Sequence, residues 1–254
     1  MDGESFPYDR PENVQVNGVH LGINRMKHKI YFSIAMLALF FVSSLCSSNN
    51  YEAPKNETPM YGGIPRTPDE EKADREFVRD VLKNYGTKGE AFQAGFELAW
   101  SFYDKGDYAQ AMRRFNQAWL VDPNDPRIYN AFAALAAKKG DEKSMIDWYL
   151  KGAEAGEPKA QYNLGDCYFH GRGVKKNYKE AAKWFYAAAE QGLEWAENMT
   201  GVCYEYGLGV PRSTAEANKW YEKADKHGAA DKEKSWRHKM NEGIPPEGEM
   251  MKEE

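Results

Sequence analysis

A chain of 254 residues, 42% hydrophobic and 14% aromatic, carries enough apolar material for a packed core and is too hydrophobic to remain unfolded. Its net charge of -5 leaves no cationic excess to neutralise phosphates, which removes nucleic acid from the expected partners. Three cysteines, Cys46, Cys167 and Cys203, cannot make a paired disulfide framework, so stability has to come from packing.

Residues 1–25 are a polar extension containing Asp2, Glu4, Asp9 and Glu12, and Met26 reads as the start of translation. The basic cluster Arg25, Lys27, His28 and Lys29 leads into the uncharged run 30–46, IYFSIAMLALFFVSSLC, and polar residues follow. Cations ahead of an apolar stretch give 26–48 the layout of a signal peptide. A bilayer core needs about 20 apolar residues, and this run sits at the lower edge of that length, so a retained signal anchor stands beside a cleaved segment. Cys46 adds a third form, with a lipid on its sulfur, against which Leu45 counts because a small residue is expected there. In each form the remainder is exported to the cell envelope or secreted, and membrane contact is confined to this segment or to a lipid on Cys46. Residues 49–66 are rich in Pro, Gly and Asn, show no helical or strand period, and read as a flexible linker. The glycosylation triplets at Asn56 and Asn198 read as chance matches.

Thr67, Pro68 and the acids Asp69, Glu70 and Glu71 make an N-cap, a first-turn proline and a first turn that complements the helix dipole. With Phe77, Val81 and Tyr85 at helical spacing, they predict an N-terminal cap helix within 67–91. The stretch from Phe92 predicts two hairpins over 92–157. In the first, Gly106-Asp107-Tyr108 forms the turn, Ala111 is the small residue at the helix crossing, Phe115 and Ala118 pack, and Pro123 ends the second helix. The second hairpin is degenerate, with Tyr129, Phe132, Ala133, Gly140, Asp141 and Tyr149 as its markers.

Downstream, Ala160, Gly165, Cys167, Tyr168, Gly171, Gly173, Val174, Ala181, Trp184, Ala188 and Gly192 each recur 36 positions later, from Ala196 to Gly228. Trp148 lies the same interval ahead of Trp184. A constant period with small residues at helix crossings marks a solenoid in which no hairpin buries its apolar face alone. These two units, 158–229, resemble the Sel-one-like repeat family in their paired alanines, tyrosine, G-x-G-V loop and tryptophan. The segment AFQAGFELAWSFYDKGDYAQAMRRFNQAWLVDPND resembles a tetratricopeptide repeat. The resemblance implies an all-α fold, an α-solenoid of stacked helix hairpins with a capping helix at each end. The C-terminal cap is expected over 231–241, carrying Trp236 and Met240 and stopped by Pro245-Pro246, within a closing segment 230–254 that ends in an acidic tail.

The chain has no G-x-S-x-G elbow, Walker loop, H-E-x-x-H or C-x-x-C, so the expectation is a non-enzyme without cofactor or metal. His170, His227 and His238 are too scattered by the repeat geometry to suggest a metal site. Cys167 and Cys203 occupy one position of successive hairpins, which stack at roughly 10 Å. That exceeds the ~7 Å limit for a bridge, and both read as small buried apolar residues. One branch of the family carries a disulfide within every repeat and is associated with cell-wall ligands; a single cysteine per repeat keeps that association from carrying over.

In tetratricopeptide hairpins the first helices line the concave face, and carrying that register over names the candidate groove. It consists of Gln93, Phe96, Trp100 and Tyr103; Arg127, Asn130, Ala134 and Ala137; Lys159, Tyr162, Asp166 and Phe169; and Trp195, Asn198, Val202 and Glu205. Large rings mixed with amides suit a protein or peptide partner. The competing expectation is that a capping helix covers Phe96 and Trp100 from within the chain. Two other functions stay open, a self-assembling structural protein of the envelope and, on family association alone, a hydrolase of wall-type ligands.

Overall fold

The computed structural model describes residues 58–63 and 65–227. The expected signal segment with Cys46, the triplet at Asn56, His238 and the cap helix at 231–241 lie outside them. Ahead of Pro65, the described residues make a turn at Pro59–Gly63, with Met60 and Tyr61 at φ of 50° and 55°.

From Pro65 onward the described residues form nine α-helices and no strand. Helix α1 (Pro68–Tyr85) starts as expected. Thr67 Oγ1 accepts from the Glu70 amide at 3.3 Å while Glu70 accepts from the Thr67 amide at 2.8 Å, a reciprocal cap. Arg66 joins this start through a bidentate contact with Asp74, at 2.9 and 3.0 Å, so the segment read as a linker is tied down at its last residue. Helix α2 (Lys88–Asp104) begins four residues ahead of the expected Phe92. Thr87 caps it by accepting from the Glu90 amide at 3.2 Å, a second Thr-x-x-Glu signal that the register of apolar residues passes over.

Helix α3 (Tyr108–Val121) completes the first hairpin with α2. The others are α4 (Arg127–Lys138) with α5 (Glu142–Glu154), α6 (Pro158–His170) with α7 (Tyr178–Ala189), and α8 (Glu194–Tyr206) with α9 (Thr214–Lys226). Asp107, Asp141, Asn177 and Ser213 cap the second helices through their side-chain oxygens. Successive hairpins stack in chain order, α3 on α4, α5 on α6 and α7 on α8, which is the expected solenoid.

The core runs across repeat boundaries. Ala133, Ala136, Met145, Tyr149 and Ala153 of the second hairpin pack with Ala160, Leu164 and Cys167 of the third, backed by Trp148 and Trp184. Small residues set the spacing: a Cβ on Gly165 would lie 2.8 Å from the Phe185 ring, and one on Gly201 would lie 2.5 Å from the Tyr221 ring. The two G-x-G loops repeat down to single hydrogen bonds. The Asn177 amide donates to the Tyr168 carbonyl at 2.9 Å, and the Ser213 amide to the Tyr204 carbonyl at 2.8 Å, with Gly171, Gly173, Gly207 and Gly209 at positive φ. Helix α1 differs from the rest, since none of its side chains is buried.

Candidate functional site

The first helices of the hairpins stand side by side. Helix α4 touches α6 directly as well as its own partner α5. Three links join neighbouring first helices into one wall. Arg127 Nη1 of α4 donates to Gln93 Oε1 of α2 at 2.5 Å. Asn163 Nδ2 of α6 donates to Asn130 Oδ1 of α4 at 2.8 Å. The rings of Tyr162 on α6 and Trp195 on α8 lie 6.4 Å apart.

Arg127 is held in place from several sides. Its guanidinium pairs with Asp125 through Nε at 2.9 Å and Nη2 at 2.6 Å, and its centre lies 4.7 Å from the Phe92 ring and 5.6 Å from the Phe96 ring. The Asp125 residue that orients it precedes the helix and was not among the expected site residues.

The expected ring-lined groove needs correction. Trp100 and Tyr103 are 5% exposed and Tyr162 and Phe169 are 2% exposed, so these rings belong to the core. Trp100 lies 5.3 Å from Phe115 and 5.0 Å from Tyr103. Tyr162 lies 5.5 Å from Phe185, and Phe169 sits between Tyr178 and Phe185. The cause is local: Ala111 and Ala118 on α3, and Ala181 and Ala188 on α7, leave space opposite the first helices. The large rings fill that space instead of facing outward. Phe96 is half-buried, in contact with Phe92, Phe115 and Arg127, all from its own or the next hairpin.

Of the polar candidates, Asn130 is buried and spends its Oδ1 on Asn163. Asp166 is also buried, facing His170 Nε2 at 3.2 Å and, more closely, Arg172. Burial pushes the His170 imidazole below its usual range and Lys176 adds to this, so Arg172 supplies the charge opposite Asp166. Trp195 and Asn198 are half-buried, and Asn198 Oδ1 is enclosed without a hydrogen-bond donor. The structure thus brings together Gln93, Phe96, Arg127, Asn130, Asn163 and Trp195 along the linked first helices, and turns Trp100, Tyr103, Tyr162 and Phe169 inward. Asn163 escaped the sequence reading because the transferred register names its neighbour Tyr162.

Elsewhere, a shallow depression between α1 and α3 is lined by Val78, Leu82 and Leu120 and rimmed by Asp74, Arg75, Arg79 and Lys83; it contains none of the expected site residues. Among the described residues no cluster of three or more ligating side chains is arranged for a metal. Cys167 and Cys203 are free and buried, and burial pushes both thiols up to about 12. Among the described residues no helix is long and apolar enough to cross a membrane.

The family model described as the Sel1 repeat matches residues 146–157, 158–193 and 196–226. The curated protein "DAP3-binding cell death enhancer 1" of Mus musculus is 25% identical over 129 residues, which cover 50% of this chain and 25% of the mouse protein. The chain therefore spans about a quarter of the length of that relative. A solved Sel1 repeat protein from Oxalobacter formigenes is 36% identical, with 52% of this chain and 55% of that one covered and a TM-score of 0.47. The c5321 protective antigen of uropathogenic Escherichia coli strains, which displays an SLR fold, is 28% identical, with 66% and 37% covered and a TM-score of 0.49.

Proposed function

Since Sel1 repeats are matched over residues 146–157, 158–193 and 196–226, we propose that the chain is a scaffold holding an extended segment of another protein against the wall of its first helices. The observation that carries this reading is the hydrogen-bonded pair Asn130 and Asn163, which bridges α4 and α6 on that wall. A carboxamide donates and accepts at once, which matches the alternating N–H and C=O groups of an extended peptide. The half-buried ring of Trp195 beside Tyr162 offers a place for an apolar side chain of the same segment. The name of the mouse relative describes it as DAP3-binding, which supports a binding role here. The uncharged run 30–46 behind its basic cluster directs the scaffold out of the cytoplasm in this reading.

Asn130→Ala combined with Asn163→Ala and Trp195→Ala should weaken a co-purifying partner at least about tenfold, or about 1.4 kcal/mol. Thermal melting serves as the control for folding. Undiminished recovery of the partner would remove the wall as the binding surface. Recovery of the protein wholly in the cytosolic fraction, with an intact mass that includes 30–46, would remove the export reading.

A further inference from the structure

The fourth hairpin breaks the pattern of the third at the wall. Where the third places Phe169 against Phe185, ring centroids 6.1 Å apart, the fourth places Glu205 and Tyr221 at the same two register positions, 36 residues on. Tyr221 Oη donates to Glu205 Oε2 at 2.6 Å, the one hydrogen bond its carboxylate receives among the described residues. In the third hairpin the wall carboxylate Asp166 is neutralised by Arg172 from its own loop. The fourth places Val202 and Leu208 at those two positions. The nearby Arg212 instead gives its Nε to the main-chain oxygen of Glu205 at 3.0 Å. Glu205 therefore stands half-buried on the wall without a cation among the described residues.

Trp195, Asn198, Val202 and Glu205 follow one another at helical spacing along one face of α8. That face carries a ring, an amide whose oxygen is enclosed without a donor, and a carboxylate with no cation beside it among the described residues. Farther along the wall, Arg127 donates to Gln93 and carries positive charge, and Asn163 donates to Asn130. Replacing a core phenylalanine by a glutamate weakens a hairpin unless the charge has a use, and such departures from local consistency gather at functional positions.

We propose that Glu205 receives a lysine or arginine side chain of the bound segment, with the half-buried Trp195 ring taking an apolar side chain beside it. This rests on the reading of the wall as a peptide-binding surface. The α8 end then fixes the direction in which the segment lies, because a basic residue is favoured there and an acidic one is rejected.

The test is a selection of displayed random 12-residue peptides on the full chain and on its Glu205→Gln variant, which keeps an acceptor for Tyr221. The expected result is enrichment of lysine or arginine at one position in the wild-type pool and its loss in the variant pool. A selected basic peptide should bind E205Q about tenfold more weakly, and its affinity for the wild type should fall with added salt. Identical pools on the two proteins, or acidic residues enriched on the wild type, overturn the proposal. Peptides that depend on Asn130 and Asn163 yet ignore Glu205 would leave the wall standing and sink the assignment to α8. Failure to select any peptide on either protein would sink both. Binding of basic peptides that appears only after Lys232, Lys234, Arg237 and Lys239 are changed to serine would mean that the chain's own C-terminal segment fills the site. That result also overturns a partner in trans.

Discussion

Gly201 and Gly165 carry no side chain because the ring of the facing helix occupies the space. A methyl group on Gly201 would lie 2.5 Å from Tyr221, closer than packed atoms tolerate, and the ring is held by its bond to Glu205. Gly201→Ala should cost about 1–3 kcal/mol in urea unfolding through overpacking. A change smaller than 0.5 kcal/mol, on the order of a neutral surface substitution, would show that α8 and α9 shift apart without cost. Glu157 is a different kind of residue. It is 5% exposed, caps α6 by accepting from the Ala160 amide, and burial raises its pKa above the usual 4.5 while those amides and Lys159 and Arg127 oppose the shift. A carboxyl raised in the folded state contributes stability that is full below its unfolded value and is lost as pH rises through its folded value. Glu157→Gln should therefore match the wild type below pH 4.5, exceed it in denaturant midpoint at pH 7, and flatten the decline between. A variant less stable than the wild type at pH 7 would contradict this. The glycine was legible in the sequence through its place in the period, whereas the burial of Glu157 was not. Its register partner downstream is Leu193, so the repeat gives no sign of a charge there.

At the scale of helices, one contact recurs in two chemistries. Gln191 Nε2 at the end of α7 donates to Gln161 Oε1 near the start of α6, at 2.8 Å. One repeat later the same positions hold Glu197 and His227, whose Nδ1 lies 2.8 and 3.0 Å from the two carboxylate oxygens. Each pair latches the end of a second helix to the start of the first helix of its own hairpin. The Glu197 side chain is 1% exposed and His227 is 50% exposed, so the cost of losing the partner falls on the carboxylate. His227→Ala should destabilise the fourth hairpin by about 1–3 kcal/mol, discounted toward the lower figure because the imidazole is half in water. Glu197→Gln with His227→Gln transplants the neutral pair from the preceding repeat and should recover most of that loss. If the double variant is less stable than His227→Ala alone, the latch is not the interaction that matters. The period of 36 exposes this correspondence in the sequence, but pairing two residues 30 positions apart requires the helix crossing to be known. The start of α2 was misplaced for a related reason. Apolar spacing dominates the reading near Phe92, while Thr87 and Glu90 set the boundary through hydrogen bonds that leave no apolar trace.

In a solenoid, the stability of each hairpin is the sum of its own contacts and those with its neighbours, so position along the stack decides how readily an element opens. Helix α4 lies between two hairpins and buries Ile128, Ala131, Phe132, Ala133 and Leu135 completely. Helix α1 sits at one end, half-buries Phe77, Val81 and Tyr85, and buries none of its residues. Its reciprocal cap at Thr67 and the Arg66 pair with Asp74 stabilise the helix itself without fastening it to α2 or α3. The helix expected to cap the stack was thus legible as a helix, since capping residues and spacing are local signals. The depth of its burial depends on a surface formed by residues far along the chain and could not be read from its own sequence. Native-state hydrogen exchange separates these two properties. Backbone amides of α4 and α6 should exchange with the slowest rates, close to those set by unfolding of the stack. Those of α1 should exchange sooner by about a hundredfold or more, which corresponds to roughly 3 kcal/mol less protection. Deleting 67–85 should accordingly leave the exchange of α4 and α6 unchanged. Protection of α1 equal to that of α4, or loss of protection in α4 when α1 is removed, would show that α1 is a cooperative part of the solenoid.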